Sequence, residues 1–212
     1  MSSGALEKKA LVALYLARLK GHNTGPGELA QELGLPEALC RELARELAEK
    51  GLIKIRRGAG GREAYELTPE GRKAIKVVMT GGVFDILHVG HLATLKAAKA
   101  LGDALVVVVA RDETVRRLKG RDPLNNEQDR LKLVSALRPV DLAILGDQED
   151  PYKTVELVGP DVIALGYDQA HDEAAIRAEL AKRGLQAKVV RLDVRVEGVK
   201  SSKILAKLLK EL

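Results

Sequence analysis

The sequence is poor in cysteine and in aromatic residues, and it contains no long apolar run. Its single cysteine, Cys40, excludes an internal disulfide and indicates a reducing compartment. Aromatic residues make up 2% of the chain, with no tryptophan, which argues against a base-stacking surface for single-stranded nucleic acid. No stretch of about 18 apolar residues is present, and residues 1–20 carry Glu7, Lys8 and Lys9 where a secretory leader would be apolar. We therefore expect a cytoplasmic protein with no membrane partner.

The charge balance is mildly basic. Lys and Arg number 35 against 30 Asp and Glu, a formal net charge of +5 over 212 residues. This excess does not by itself indicate nucleic acid, because phosphate-bearing ligands account for it equally well. Hydrophobic residues make up 46%, as in ordinary globular proteins.

Residues 1–75 have a mainly helical pattern, and we assign them to a first domain. Apolar residues at helical spacing predict helices over 5–20, 27–33 and 37–50, which end at Gly21, Gly34 and Gly51. Two short strands follow, at 52–55 and 64–67. Thr68, ahead of Pro69, is predicted to cap a final short helix.

Three helices followed by a hairpin resemble the winged helix-turn-helix fold, and the resemblance implies DNA binding. The hairpin loop carries basic residues suited to phosphate contact, namely Arg56, Arg57 and Arg62. The third helix fits that role poorly, because its glutamates oppose phosphates: Glu37, Glu42, Glu46 and Glu49. A structural or dimerising module is the alternative interpretation.

Residues 76–212 alternate short apolar runs with helical stretches, and we assign them to a second domain. Strands are predicted over 76–80, 105–110, 141–145, 161–165 and 188–190. Helices are predicted over 90–101, 112–118, 126–137, 152–158, 171–184 and 201–211. This alternation predicts an α/β fold with a doubly wound parallel sheet, whose ligands bind at the carboxyl ends of the strands.

The segment after the first of these strands contains several residues suited to ligand binding. Gly81 and Gly82 allow close approach of a ligand to the backbone, and His88 and His91 flank Gly90 at the start of a helix. Imidazoles at a helix N-terminus can donate hydrogen bonds to phosphate, and the helix dipole favours the anion. The two histidines could instead bind zinc, but the chain offers no complete ligand set near them.

This segment resembles the H-x-G-H signature of the nucleotidyltransferases of the cytidylyltransferase-like superfamily, with Val83 where the family usually has Thr. The resemblance spans roughly 76–212 and implies a Rossmann-like nucleotidyltransferase fold. It assigns nucleotide binding to the turn residues Gly81, Gly82, Val83, Phe84, Asp85 and Gly90.

Further motifs follow in the family's order. Lys119 stands where relatives hold a phosphate, and Arg130 stands on a helix that packs toward the site. The resemblance places nucleoside-recognising groups after the fourth strand, at Gly166 and Asp168. Residues 195–204 resemble the family's R-T-x-G-I-S-T-T-x-I signature and add Arg195, Ser201 and Ser202.

The resemblance implies that a substrate phosphate attacks the α-phosphorus of a nucleoside triphosphate and that pyrophosphate leaves. His88 and His91 would stabilise the developing charge, with Lys119 and Arg195 neutralising the attacking and leaving phosphates. Mg²⁺ is expected to bridge the phosphates with few protein ligands. Asp85 and Asp112 are the carboxylates to test, and the metal ligands stay unassigned.

Residues 84–91, 109–115 and 118–123 look most like the archaeal FAD synthetases, which implies transfer of AMP from ATP to FMN. The C-terminal signature resembles the glycerol-3-phosphate cytidylyltransferases, so a CTP-dependent enzyme acting on a small phosphorylated polyol or alcohol is the alternative. The adenylyltransferase domain of ADP-heptose synthesis is a third relative. A transcriptional regulator that senses a nucleotide or flavin is the alternative of another class. We expect a homodimer.

Overall fold

Four helices and a two-stranded hairpin make up the described part of the first third of the chain. The computed structural model describes residues 3–58, 61–167, 172–196, 201, 204, 205 and 207. The chain divides into two compact units, Met1–Lys76 and Val77–Leu212. The elements of the first unit are α1 (Ser3–Leu19), α2 (Pro26–Leu33), α3 (Glu37–Glu49), β1 (Ile53–Arg57), β2 (Glu63–Leu67) and α4 (Pro69–Lys73).

Local sequence signals set the ends of these elements. Gly21, Gly34 and Gly51 follow the three helices with left-handed backbone at φ 71, 65 and 71°, a conformation that glycine adopts without a Cβ clash. The Thr68 hydroxyl accepts a hydrogen bond from the Gly71 amide at 3.0 Å, which confirms the predicted cap. The helices bury a shared apolar core that includes Leu11, Tyr15, Leu29, Cys40 and Leu47.

The hairpin pairs β1 with β2 in antiparallel register, and a single bridge joins Thr24 to Tyr65. Three helices followed by this hairpin are the arrangement of a winged helix, as predicted.

The second unit is built on a five-stranded parallel sheet with the order β5-β4-β3-β6-β7. The predicted doubly wound fold is therefore confirmed. Its elements are β3 (Val77–Gly82), α5 (Val89–Lys99), β4 (Ala104–Val109), α6 (Asp112–Lys119), α7 (Glu127–Ser135), β5 (Leu142–Leu145), α8 (Pro151–Val158), β6 (Val162–Leu165), α9 (Glu173–Lys182) and β7 (Lys188–Arg191). Of the last predicted helix, Ser201, Ile204, Leu205 and Lys207 are described and helical, and the rest lies outside the described residues.

The central strands are mostly apolar and are buried on both faces, since Val77 and Val106 are 0% exposed on one face and Val78 and Leu105 on the other. Val78, Leu105 and Val107 are fully buried in one core cluster, which is typical of parallel sheets with helices on both sides. From β3 the chain builds β4 and β5 on one side and then crosses to β6 on the other. A crevice between β3 and β6, at their carboxyl ends, is where such sheets bind ligands.

Two aspartates pin the opposite, amino-terminal edge of the sheet. Asp141 precedes β5 and accepts a hydrogen bond from Leu105 N, on the neighbouring strand, at 2.6 Å. Asp161 precedes β6 and accepts from Val77 N, again on the neighbouring strand, at 2.7 Å. Each carboxylate satisfies a backbone donor at a strand start and fixes the offset between two strands.

No helix within the described part of the chain combines the length and the apolar character needed to cross a bilayer.

Candidate active site

The turn after β3 is held in a strained conformation. Phe84 has φ 55°, a left-handed value that costs energy for any residue with a side chain. Its buried ring lies with its centroid 5.3 Å from that of His91. Burial of the Phe84 ring maintains the strained backbone of this turn. The turn then leads the following residues to the start of α5.

His88 and His91 meet at the N-terminus of α5. Their rings are stacked, with centroids 3.9 Å apart and planes at 28°, and both Nδ1 atoms are buried. His88 is the N-cap residue, and the first turn of α5 contains no carboxylate. Two imidazoles beside a helix N-terminus whose first turn carries no negative charge suit a phosphate-bearing ligand.

The Asp85 carboxylate is buried and hydrogen-bonded within the protein. Its buried side chain accepts hydrogen bonds from Leu124 N at 2.7 Å and Asn125 N at 3.0 Å. Arg121 Nη1 lies 3.3 Å from its other oxygen, and Asn125 Nδ2 donates to the Asp85 carbonyl at 2.6 Å. Residues 121–125 are therefore fixed beside the loop that carries His88. The nucleotide contact assigned to Asp85 from the sequence stays a prediction beside this structural role.

Arg130 is likewise directed inward. Its side chain is 0% exposed. The guanidinium donates to Val83 O at 2.6 Å, Asn125 O at 2.9 Å and Asp112 Oδ1 at 2.6 Å. The sequence-based assignment of Arg130 to nucleotide binding stays a prediction. The arginine braces the segments that surround the histidines. The Asp112 carboxylate takes part in this brace by accepting a hydrogen bond from Arg130.

Ser201 reaches the site from the far end of the sequence. Its hydroxyl donates to the Ile86 carbonyl at 3.2 Å, which places residue 201 against the histidine loop 115 positions away. Ser202 and Asp168, the companion residues predicted with it, lie outside the described residues.

Apart from Lys119, the remaining predicted residues lie at or beyond the carboxyl ends of strands or at the start of α5. Lys119 is the exposed last residue of α6. The Arg195 side chain is 71% exposed; it lies 3.4 Å from Asp193 and 5.5 Å from the centroid of the Tyr167 ring. Gly166 directly follows β6, and its carbonyl accepts a hydrogen bond from Arg191 at 3.0 Å. Gly81 and Gly82 complete β3, and Gly90 lies in the first turn of α5.

One carboxylate at this edge is held in its charged form. Asp147, which follows β5, accepts hydrogen bonds from the Asp150 amide at 2.9 Å and the Glu149 amide at 3.0 Å. These bonds lower the pKa of Asp147. Over the described ranges, no group of three or more His, Cys, Asp or Glu side chains is arranged to hold a metal ion.

Sequence reasoning missed Asn125 as a site residue. It joins Asp85 to Arg130, through its amide and its carbonyl respectively. The only local signal was the pair Asn125-Asn126 ahead of α7, which is typical of a helix cap. Asn126 does cap that helix, because its side chain accepts from Asp129 N at 3.0 Å.

In the first unit, the predicted DNA-contacting arginines lie on or beside the hairpin. Arg56 pairs with Glu66 at 2.6 Å, and Arg57 lies 3.7 Å from Glu63. Arg62 is exposed. The exposed face of α3 is acidic and contains Glu37, Glu42, Glu46 and Glu49.

Comparison with known proteins agrees with this geometry. The family described as cytidylyltransferase-like matches residues 79–207. The FAD synthase of Aciduliprofundum boonei is 59% identical over 115 residues, which cover 54% of this chain and 76% of that protein. The FAD synthase of Thermoplasma acidophilum is 50% identical over 135 residues, covering 64% of this chain and 94% of the relative.

Among solved structures, the lipopolysaccharide core biosynthesis protein from Thermoplasma volcanium is similar, with a TM-score of 0.56 and 51% identity. The match covers 57% of this chain and 99% of that one.

Proposed function

This chain belongs to the cytidylyltransferase-like family, and we infer that it is an FAD synthase. It transfers AMP from ATP to FMN. A phosphate oxygen of FMN attacks the α-phosphorus of ATP, a new P–O–P bridge forms, and the bond to the β-phosphate breaks to release pyrophosphate. The observation that carries this inference is 50% identity over 94% of a FAD synthase.

The stacked histidines are proposed to supply most of the charge stabilisation. Negative charge moves onto the α- and β-phosphate oxygens as the bond to pyrophosphate breaks. His88 and His91 would donate hydrogen bonds to these oxygens from a position already fixed by Phe84 and by the start of α5. Donors that are prearranged in this way stabilise developing charge without reorganisation during the reaction.

Ser201 and Arg195 are proposed to hold the outer phosphates of ATP, and Lys119 the attacking phosphate of FMN. The contact of Ser201 with Ile86 O supports this role, since it sets a hydroxyl beside the histidine loop. Lys119 and Arg195 are exposed cations and can turn toward a ligand at low cost. The matching roles of Asp168 and Ser202 stay predictions.

Mg²⁺ is proposed to enter as part of the MgATP substrate. The carboxylates named from the sequence do not fit a resident site, because Asp85 is taken up by Leu124, Asn125 and Arg121 and Asp112 by Arg130. The phosphates themselves would then provide most of the ligands, which is how Mg²⁺ usually binds at nucleotide sites.

The experiment is product analysis with the full chain and Mg²⁺. ATP with FMN is compared with CTP and glycerol 3-phosphate, and FAD and pyrophosphate are measured. We expect FAD and pyrophosphate in equal amounts from the first mixture alone. Turnover of CTP alone would replace FAD synthesis by the cytidylyltransferase alternative. Flavin binding without pyrophosphate release would favour a sensor.

DNA binding and a homodimer are also retained as proposals. Exposed hairpin arginines support contact with DNA, whereas their ion pairs and the glutamates of α3 oppose it. Fluorescence anisotropy with labelled duplex DNA over a salt series tests the first proposal, since phosphate contacts weaken steeply with salt. Light scattering coupled to size-exclusion chromatography gives the mass in solution and tests the second.

A further inference from the structure

The end of α6 and the segment that follows it expose two leucine side chains. Leu118 is 68% exposed and Leu124 is 58% exposed. A single exposed leucine is ordinary on a protein surface, but the position of Leu124 is not. Its amide donates to Asp85 Oδ1 at 2.7 Å, and Asp85 stands three residues before His88. Leu124 therefore lies at the rim of the candidate active site.

This segment is held in place from several sides. Asp85 and Arg130 fix Asn125, and Arg116 at the end of α6 pairs with Asp122. The apolar side chains are therefore presented on an anchored loop, which reduces the ordering entropy that a ligand must overcome on binding.

The charged and the apolar side chains of this surface together indicate what it binds. Lys119 and Arg121 are exposed cations between the two leucines. FMN has the matching composition, since one end is a phosphate and the other is a large, flat isoalloxazine ring with an apolar edge.

The aromatic side chains of the second unit are already engaged elsewhere. Phe84 is buried beneath His91. Tyr152 packs under Arg183 and Tyr167 under Arg195, at 4.9 and 5.5 Å from ring centroid to guanidinium carbon. An incoming ring system must then rest mainly on aliphatic surface, and Leu124 provides it on the loop that Asp85 anchors.

We propose that Leu124, with Leu118 near the end of α6, forms the seat of the isoalloxazine ring and gives the enzyme its preference for a flavin acceptor. This inference rests on the proposed function, since it names the acceptor subsite of that reaction. Lys119 serves the phosphate end of the same ligand.

Riboflavin and FMN together test the seat, because riboflavin carries the ring without the phosphate. Binding of each to the full chain is measured by quenching of flavin fluorescence. Leu124→Ser is expected to weaken both ligands about fivefold, which corresponds to about 1 kcal/mol of lost apolar contact. Lys119→Gln is expected to weaken FMN alone, and Leu124→Met to restore wild-type affinity.

Leu157→Ser is the matched control. Leu157 has the same 58% exposure. It lies in the last turn of α8, from which the chain enters β6 at the amino-terminal edge of the sheet. Steady-state kinetics complete the test: Leu124→Ser is expected to raise the KM for FMN and leave the KM for ATP unchanged. Equal changes in both KM values, or unchanged flavin affinity in Leu124→Ser, would overturn the seat.

The two proposals fail separately. If the wild-type chain makes FAD and Leu124→Ser behaves like Leu157→Ser, the seat is wrong and the FAD synthase function stands. If the wild-type chain makes no FAD but binds riboflavin in a Leu124-dependent manner, the seat stands without the proposed reaction. Absence of flavin binding overturns the seat.

Discussion

Arg130 and Asp112 form an ion pair in which the arginine is completely enclosed: the two side chains meet at 2.6 Å, with 0% and 22% of their surfaces exposed. The same guanidinium holds the carbonyls of Val83 and Asn125. One cation thus ties together the turn after β3, the start of α6 and the loop before α7.

Replacing Arg130 with Met is expected to destabilise the second unit severely. The change leaves one carboxylate and two carbonyls without their donor, and loss of one partner from a buried ion pair costs about 3–5 kcal/mol. Urea unfolding followed by circular dichroism measures this loss. Arg138→Met, at an exposed position just after α7, is the control and should change stability by less than about 0.5 kcal/mol. Equal stability of the two variants would show that Arg130 does not stabilise the second unit in this way.

Removing either stacked histidine is expected to lower kcat for FAD formation and leave the fold intact. His91→Ala and His88→Ala should each reduce kcat by about 10²- to 10³-fold, the usual effect of losing one donor to a developing charge. The double variant should fall by less than the product of the two, because the rings act as a unit. His22→Ala, an exposed histidine of the first unit, should keep wild-type kcat. A loss below threefold in the site variants would exclude this role.

Gly82 and Gly81 make a matched pair for testing the strained turn. A Cβ at Gly82 would lie 2.9 Å from two ring carbons of Phe84, whereas at Gly81 the nearest atom is Val108 O at 3.6 Å. Gly82→Ala must displace a buried ring and is expected to lower the free energy of unfolding by about 1–3 kcal/mol. Gly81→Ala should unfold nearly as the wild type does. The reverse order of stabilities would contradict the packing described for Phe84.

Alkaline stability of the first unit is expected to depend on Tyr65. Burial, together with the nearby Glu63 carboxylate, raises the pKa of Tyr65 to about 12 from 10.0. Between these values the unfolded chain loses the phenol proton while the folded chain keeps it, so stability falls as pH rises. Tyr65→Phe removes this contribution and should flatten the slope of thermal midpoint against pH from 10 to 12. A slope identical to that of the wild type would count against the raised pKa.

The parts of the molecule that the sequence predicted are those with local signals. Gly34 ends a helix, Thr68 caps one and the histidine turn follows a strand, each within a few residues of the pattern that indicates it. The bracing contacts of Arg130 and Asp85 could not be predicted, because their partners are distant in sequence. Asp85 meets Leu124 from 39 positions away and Arg130 meets Val83 from 47. An arginine near a helix start looks the same whether it binds phosphate or is buried as a brace, and only tertiary structure separates the two.

The aspartates that pin the amino-terminal edge of the sheet have an evolutionary consequence. Asp141 and Asp161 set strand offsets on the side of the sheet remote from the reacting groups. A slip of one residue would exchange the side chains that pack on the two covered faces of the sheet, and these pins oppose it independently of the loops at the other edge. Those loops are free to accept insertions, deletions and new side chains. One scaffold can therefore diversify its acceptors across a lineage while its strand pairing stays the same.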